Sequence, residues 1–263
     1  MDPRDVTAIF DARAAGYVTD EWHRRYAEQL VATAPLRAGD VVLDAGTGTG
    51  FAARAIAKRV GPAGSVVGVD VSSGMLAQAR LLLDSEGMLN VELVEADASN
   101  LDAYAARTFD AVMCSAGLLY MDVAKALAEW RRVLKSGGFV AFSTMRAGSP
   151  SAGRIFRECA AKYGLALSDP SEELGSEARC RQALEAAGFD DVRLIPDRVD
   201  FVTVVPVLAW EANSRAGGHA AARSLDAEQQ SALRREFVAA LETNAESAAR
   251  ADVIFAIGRS LHS

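Results

Sequence analysis

Three glycines in a short segment of the sequence are suited to holding a ligand. Residues 41–50 read VVLDAGTGTG, so an apolar run leads into Gly46, Gly48 and Gly50. Glycine lets the backbone turn sharply and approach a ligand closely, and a helix that begins after the loop adds oriented amide groups. The spacing places Phe51 where a dinucleotide-binding GxGxxG loop has its last glycine. Taken alone, such a loop is compatible with a dinucleotide site or with a tight connection between two elements.

Two acidic residues beside this loop narrow the choice of ligand. Asp44 ends the apolar run, where a carboxylate would repel a pyrophosphate but attract a ligand that carries an ammonium and a sulfonium. Asp70 ends the next predicted strand, where it can accept hydrogen bonds from both hydroxyls of a ribose. By itself Asp70 is equally compatible with an ordinary turn at a strand end. Together with the loop, the two carboxylates describe a positively charged nucleoside without phosphates.

Five segments resemble the motifs of the class I S-adenosylmethionine-dependent methyltransferases, and the likeness is nearest to their ubiquinone/menaquinone-biosynthesis-like, small-molecule branch. They are residues 44–50 (DAGTGTG), 68–76 (GVDVSSGML), 95–98 (EADA), 109–115 (FDAVMCS) and 132–138 (RVLKSGG). The initial segment 10–17 (FDARAAGY) also resembles that branch. The resemblance implies S-adenosylmethionine as the cofactor and methyl transfer as the activity.

The resemblance also implies a role for each matched residue. The glycine loop would hold the methionine part of the cofactor, Asp70 the ribose and Met75 the adenine ring. Asp97 would accept a hydrogen bond from the adenine amino group, and Tyr17 would close over the cofactor. Singly, Met75 is as compatible with a core position and Asp97 with a solvated loop. The expected cofactor contacts are Tyr17, Asp44, Gly46, Gly48, Gly50, Asp70, Val71, Met75, Asp97, Ala98 and Ser115.

Strands and helices alternate along the predicted chain, which indicates βαβ units and a mainly parallel sheet. We predict strands over 41–43, 65–69, 91–94, 109–114, 139–143, 192–195 and 253–257, and helices over 20–34, 51–59, 72–83, 122–134 and 181–187. Gly137 and Gly138 are expected to stop the fourth of these helices. The predicted fold class is α/β, a doubly wound, mainly parallel seven-stranded sheet with helices on both faces and a small helical cap. Right-handed crossovers then put ligand sites at the carboxyl ends of the strands.

The chain reads as three segments around one core. We predict an N-terminal helical cap over 1–35, a cofactor-binding core over 36–199 and 251–263, and an inserted substrate cap over 200–250. The cap contains an apolar run over 201–210, about half of which we expect to pack in the core, while the rest lines a hydrophobic acceptor site. The chain reads as less regular after Met145.

Methyl transfer from a sulfonium mainly requires that the acceptor be held in line and that water be excluded. A general base is needed only when the acceptor must lose a proton. The candidates are His23 on the first helix, Tyr120 after the fourth strand and His219 in the predicted cap. For each histidine the ordinary alternative is a solvent-facing side chain.

Composition limits the partners. The formal net charge of −7 argues against nucleic acid and against an anionic membrane surface. The sequence has no apolar run near the length of a membrane span and begins without the apolar region of a signal peptide. The three cysteines are widely spaced and odd in number, so we expect free thiols, no metal site and a cytoplasmic location.

The expected partner is a small, lipophilic or aromatic acceptor, plausible for bacterial secondary metabolism, and a homodimer stays open. Cys114 and the three residues after it (CSAG) stand where acceptor motifs of the Asn/Asp-Pro-Pro-Tyr type occur, which argues against a nucleic-acid-base or protein-amide acceptor. O-, C- and N-methylation stay open. So do three alternatives: a cyclase or decarboxylase that binds S-adenosylmethionine without methyl transfer, a nicotinamide-dependent oxidoreductase, and a non-catalytic relic of the fold.

Overall fold

The computed structural model describes residues 7–8, 10–12, 14, 16, 21–200, 205–214 and 217–261. Its strands are β1 (Val41–Ala45), β2 (Ser65–Asp70), β3 (Val91–Glu95), β4 (Phe109–Ser115), β5 (Leu134–Met145), β6 (Asp190–Asp200) and β7 (Arg250–Arg259). Its α-helices are α1 (Glu21–Thr33), α2 (Phe51–Val60), α3 (Ser73–Ser85), α4 (Val123–Val133), α5 (Ser151–Ala161), α6 (Glu177–Ala186), α7 (Pro206–Ser214), α8 (Ala227–Thr243) and α9 (Ala245–Ala248). Short 3-10 helices cover Leu118–Tyr120, Glu172–Leu174 and Gly217–Ser224. No described helix is long and apolar enough to cross a membrane.

The seven strands form one sheet in the order β3-β2-β1-β4-β5-β7-β6. The pairs β1–β2, β1–β4, β2–β3 and β4–β5 are parallel. Strand β7 is antiparallel to β5. The N–H of Gly137 donates to the carbonyl of Ser260 near one end of the pair, and the N–H of Arg146 donates to the carbonyl of Asp252 near the other. This architecture confirms the predicted α/β class. The chain leaves β1 toward β2 and later returns to its other side as β4, and the crevice at such a switch point is where open α/β sheets bind ligands.

Burial explains why β1 occupies the centre of the sheet. A strand of a parallel sheet is covered on both faces, so its sequence is apolar throughout rather than alternating. Val42, Leu43 and Ala45 are fully buried, and Leu43 lies between Val67 of β2 and Val112 of β4. Asp44 is equally buried, and it is the one charged residue of this strand. Its burial marks a site rather than a packing position.

The predicted elements agree with the structure to within two residues as far as α4, and then differ. Helix α4 ends at Val133 and β5 begins at once, so Gly137 and Gly138 lie inside a strand and do not stop the helix as predicted. Gly137 has φ of 79°, and the register of β4 against β5 shifts between Phe109 and Ala111. The two glycines therefore accommodate an irregularity in the sheet.

Helix α5 was not predicted, since the chain was expected to be less regular after Met145. The structure shows a helix from Ser151 to Ala161 whose buried residues recur at helical spacing. They are Ala152, Ile155, Phe156, Cys159 and Ala160. Pro150 precedes the helix and no side chain caps it, so the usual start signal is missing from the sequence. The late strands β6 and β7 were predicted, but both are longer than expected.

Contacts divide the chain into two compact units. The first comprises Met1–Thr144, Glu177–Ile195 and Phe255–Ser263, and the second comprises Met145–Ser176 and Pro196–Ile254. The second unit has its own core, in which Phe156 of α5 contacts Phe237 of α8 and Trp210 of α7. The predicted segments 1–35, 36–199 with 251–263, and 200–250 divide the chain at other points and stay a prediction.

Candidate functional site

The glycine loop joins β1 to α2 at the carboxyl edge of the sheet. Gly46, Gly48 and Gly50 have φ of 71°, 54° and 84°, which is the left-handed region that favours glycine. At Gly50 a Cβ would lie 3.0 Å from the Cβ of Ala79, so α3 packs directly on the loop. At Gly46 a Cβ would lie 3.4 Å from Cε of Met121. The loop therefore lies close to the segment that follows β4.

Asp44 is a buried carboxylate with one oxygen unused. Its Oδ2 accepts a hydrogen bond of 2.6 Å from Oγ1 of Thr47. Its Oδ1 is buried and has no hydrogen-bond partner among the residues that the structure describes. Burial raises the pKa of Asp44 to about 7, and the nearby charge of Asp70 acts in the same direction. A buried acceptor without a donor is costly, so this position fits a ligand that brings a cationic N–H donor.

Asp70 connects the end of β2 to the glycine loop. Its Oδ2 accepts from the backbone N–H of Gly48 at 2.8 Å, and its Oδ1 accepts from the N–H of Ser72 at 2.9 Å. Burial raises the pKa of Asp70, while the hydrogen bonds from Ser72 and Gly48 oppose the shift. Each carboxylate oxygen has a further lone pair with which it can accept from a hydroxyl. The geometry is therefore suited to a ligand with two neighbouring hydroxyl groups.

The start of α3 is fixed by Ser72. The N–H of Met75 donates to Oγ of Ser72 at 3.0 Å, which caps the helix. The side chain of Met75 is almost completely buried, and Val71 is half-buried. This burial is compatible with a core position for Met75, which is the ordinary alternative to a contact with adenine.

The turn after β3 holds Asp97 in a defined position. Oδ1 of Asp97 accepts from the N–H of Ser99 at 2.8 Å and from its Oγ at 2.7 Å. Ala98 is buried, and its carbonyl accepts from Nε1 of Trp130 at 2.8 Å. At the end of β4, Ser115 is half-buried and is followed by Ala116 with φ of 58°. These turns lie at carboxyl ends of strands, as Asp44 and Asp70 do.

Two of the candidate catalytic residues, Tyr120 and His23, lie in the first unit and contact different aromatic rings. Tyr120 lies in the 3-10 helix after β4, and its ring meets the ring of Phe10 edge-on at 5.0 Å. His23 is half-buried on α1 and meets Trp22 edge-on at 4.4 Å. Tyr17 lies outside the described residues. The part of the chain that the structure describes has no group of three or more His, Cys, Asp or Glu side chains able to hold a metal ion.

His219 belongs to the second unit and is not the exposed loop histidine that was the ordinary expectation. It is 3% exposed and stacks on Phe156, with ring centroids 4.9 Å apart. Its Nδ1 lies 2.9 Å from the carbonyl oxygen of Asn213. Because a carbonyl can only accept, Nδ1 carries the proton and Nε2 has a free lone pair. Nε2 is buried without a hydrogen-bond partner in the described chain, and burial lowers the pKa of His219.

The apolar run of the predicted cap is partly exposed in the residues that the structure describes. Val205, Val207 and Leu208 are exposed, while Trp210 is half-buried against the core of the second unit. Residues 201–204 lie outside the described chain.

Two residues of the site were missed in the sequence. Thr47 bonds to Asp44, and its place between two glycines was the available signal. Asp11 accepts from Ser72 and Gly74, which are 61 and 63 residues away. A contact across that distance leaves no local pattern in the sequence.

Comparisons with known proteins give a consistent result. A family model described as a methyltransferase domain matches residues 42–138. The aklanonic acid methyltransferase DauC of Streptomyces sp. (strain C5) is 33% identical over 151 residues, which cover 56% of this chain and 68% of that protein. The ubiquinone/menaquinone biosynthesis C-methyltransferase UbiE of Francisella philomiragia is 32% identical over 214 residues, which cover 72% of this chain and 84% of that protein.

A solved structure shares the fold. The [4+2]-cyclase SpnF aligns with a TM-score of 0.55 at 24% identity, and the alignment covers 91% of this chain and 82% of that chain. At this identity the likeness concerns the fold alone, and the sequence relatives carry the assignment to a family.

Proposed function

Because this chain belongs to the class I S-adenosylmethionine-dependent methyltransferases, in their ubiquinone/menaquinone-biosynthesis-like branch, we propose that it methylates a small lipophilic or aromatic metabolite. It is a methyltransferase that uses S-adenosylmethionine and acts on a small molecule. By their names, one relative acts on aklanonic acid and the other in the biosynthesis of ubiquinone and menaquinone, which are quinones. These acceptors support the proposed class of substrate, and a place in bacterial secondary metabolism is part of the proposal.

The observation that supports the cofactor placement most directly is the unused Oδ1 of Asp44. S-adenosylmethionine carries an ammonium, a sulfonium and a ribose, and it lacks the pyrophosphate that a buried carboxylate would repel. We assign the ammonium to Asp44 and the ribose hydroxyls to Asp70. The backbone of Gly46, Gly48 and Gly50 then approaches the methionine part of the cofactor.

The remaining proposed contacts follow the carboxyl edge of the sheet. We assign Asp97 and Ala98 to the adenine, with Met75 and Val71 behind it, Ser115 to the methionine end and Tyr17 to the cover over the cofactor. Bound in this way, S-adenosylmethionine supplies an activated methyl group on its sulfur. The chain's own residues hold and orient this group and exclude water from it, and orientation of this kind lowers the barrier by several kcal/mol, in order of magnitude.

Three residues are proposed candidates for removing a proton from the acceptor: Tyr120 and His23, which belong to the first unit as the proposed cofactor contacts do, and His219, which belongs to the second unit. The exposed Val205, Val207 and Leu208 of the predicted substrate cap support a lipophilic acceptor. A base is required when the acceptor is a hydroxyl or an activated carbon, and O-, C- and N-methylation all stay within the proposal.

A product assay tests the function. Purified protein is incubated with S-adenosylmethionine and a panel of quinones, phenols and polyketide-like aromatic acids, and both products are followed by mass spectrometry. We expect S-adenosylhomocysteine in step with an acceptor that is heavier by one CH₂. An altered acceptor without S-adenosylhomocysteine would instead support the alternative in which the cofactor is bound but its methyl group stays in place. Competition by NADH at the same site would favour the oxidoreductase.

A further inference from the structure

The N-terminal segment, described at residues 7–8, 10–12, 14 and 16, makes two polar contacts with the start of α3. Oδ1 of Asp11 accepts a hydrogen bond of 2.6 Å from Oγ of Ser72 and another of 3.0 Å from the backbone N–H of Gly74. Ala14 is buried beside the same turn, 3.5 Å from the place where a Cβ of Gly74 would lie. A single carboxylate oxygen thus fixes the segment to the turn that follows Asp70.

The same segment also contacts, through Phe10, the short 3-10 helix that follows β4. The ring of Phe10 meets Tyr120 edge-on at an interplanar angle of 87°. Ser72 follows β2 and Tyr120 follows β4, and β1 lies between these two strands in the sheet. Asp11 and Phe10 are therefore attached on opposite sides of the loop that β1 leads into. Both contacts lie in the first unit of the structure.

The hydroxyl of Ser72 explains how Asp11 can influence the cofactor contacts. A serine hydroxyl has one proton to donate, and here that proton goes to Asp11. Its lone pairs are then left to accept from the N–H of Met75, which caps α3. The backbone N–H of the same serine donates to Asp70. Asp11 thus orients the residue that both starts the helix and holds the carboxylate assigned to the ribose.

We propose that Asp11 is a positioning residue for cofactor binding: through Ser72 and Gly74 it fixes the turn that presents Asp70. The inference rests on the proposed cofactor contacts and is independent of the acceptor. It predicts an effect on cofactor affinity and release rather than on the methyl-transfer step itself.

The test compares Asp11→Ala with Asp11→Asn. The amide keeps an Oδ1 acceptor but loses the charge, whereas alanine loses both. Affinity for S-adenosylmethionine and S-adenosylhomocysteine is measured by calorimetry, and the release of S-adenosylhomocysteine by stopped-flow displacement. Asp84→Ala is the matched control, because Asp84 is an exposed carboxylate near the other end of α3.

For Asp11→Ala we expect affinity to fall by about tenfold and release to accelerate by a similar factor, the size typical of a hydrogen bond to a charged group. KM for S-adenosylmethionine should rise while kcat at saturation stays close to wild type. Asp11→Asn should recover most of the affinity, and Asp84→Ala should match wild type. Circular dichroism and a melting curve establish that each variant is folded.

Two results would overturn the role of Asp11. The first is wild-type affinity and release in a folded Asp11→Ala variant. The second is an Asp11→Asn variant as impaired as Asp11→Ala, which would assign the effect to charge instead of hydrogen bonding. Wild-type protein that bound neither compound would contradict the proposed function itself, so the two failures are distinguishable.

Discussion

Asp44 and Asp70 lie at the carboxyl ends of two neighbouring parallel strands, and both accept hydrogen bonds from the glycine loop. Asp44 accepts from Oγ1 of Thr47, and Asp70 accepts from the N–H of Gly48, the next residue of the loop. The negative charge of Asp70 also contributes to the raised pKa of Asp44. A ligand with positive charge relieves this repulsion, and a pyrophosphate increases it.

The first prediction concerns the pH dependence of stability without cofactor. Burial raises the pKa of Asp44 from its ordinary 3.8 to about 7 in the folded protein. The stabilising contribution of protonated Asp44 is therefore fully present below pH 3.8 and is lost as pH rises through about 7. Asp44→Asn should remove this loss, which over the whole range from pH 3.8 to about 7 is on the order of 4 kcal/mol in the free energy of unfolding.

Urea unfolding of wild type, Asp44→Asn and the exposed control Asp84→Asn, each from about pH 5 to about pH 8, provides the measurement. Wild type and the control should lose stability together toward high pH, while Asp44→Asn changes less. Three parallel curves would show that Asp44 titrates normally in the folded state.

The second prediction concerns Asp70→Ala, which removes the acceptor assigned to both ribose hydroxyls. Affinity for S-adenosylmethionine should fall on the order of 100-fold, because two hydrogen bonds to a charged group are lost. The helix content should stay unchanged, since Ser72 still caps α3. Calorimetry together with circular dichroism measures both quantities, and unchanged affinity in the folded variant would contradict the assignment of Asp70.

The third prediction concerns His219 as one of the three candidate bases. Burial lowers the pKa of His219 below its ordinary 6.5, and Arg157, Asp169 and Arg223 are the charged groups that act on it. Activity should therefore persist at neutral pH and decline as pH falls through the lowered pKa. His219→Gln should reduce kcat by about 10²–10⁴-fold and abolish this acidic limb.

In the wild-type protein, the contribution of His219 to the free energy of unfolding should also decrease as the pH falls. Because the folded pKa of His219 is depressed, its stabilising contribution is present above pH 6.5 and is lost as pH falls through the lower, folded value. The kinetic measurement is a pH–rate profile of wild type, His219→Gln and His23→Gln with any acceptor that the product assay identifies. If His23→Gln removed the acidic limb and His219→Gln left it intact, His23 would be the base.

The fourth prediction concerns the close packing of the glycine loop. Gly50→Ala combines a positive φ with a Cβ placed 3.0 Å from the Cβ of Ala79, whereas Gly87→Ala has a positive φ and open space around it. The left-handed conformation costs an alanine about 1–2 kcal/mol in both variants, and the contact in Gly50→Ala adds about 1 kcal/mol or more. Urea unfolding of the two variants gives the difference, and equal losses would mean that α3 moves away from the loop at little cost.

The sequence alone determined the α/β class, the order of strands and helices up to α4, and the position of the glycine loop with its acidic neighbours. These features are local: periodicity predicts each element, and parallel strands bring Asp44, Asp70 and Asp97 to one edge of the sheet. The cap of α3 by Ser72 is local for the same reason, because the capping oxygen and the N–H of Met75 lie three residues apart.

Only the tertiary structure decided which of these groups lack or gain a partner. The unused oxygen of Asp44, the burial of His219 against Phe156 and the contact of Asp11 with Ser72 all depend on residues far apart in the chain. The same holds for Gly137, which looked like a helix stop and lies in a strand. Burial and long-range hydrogen bonds arise when separate elements pack against each other. The spacing of neighbouring residues predicts each element but does not predict this packing.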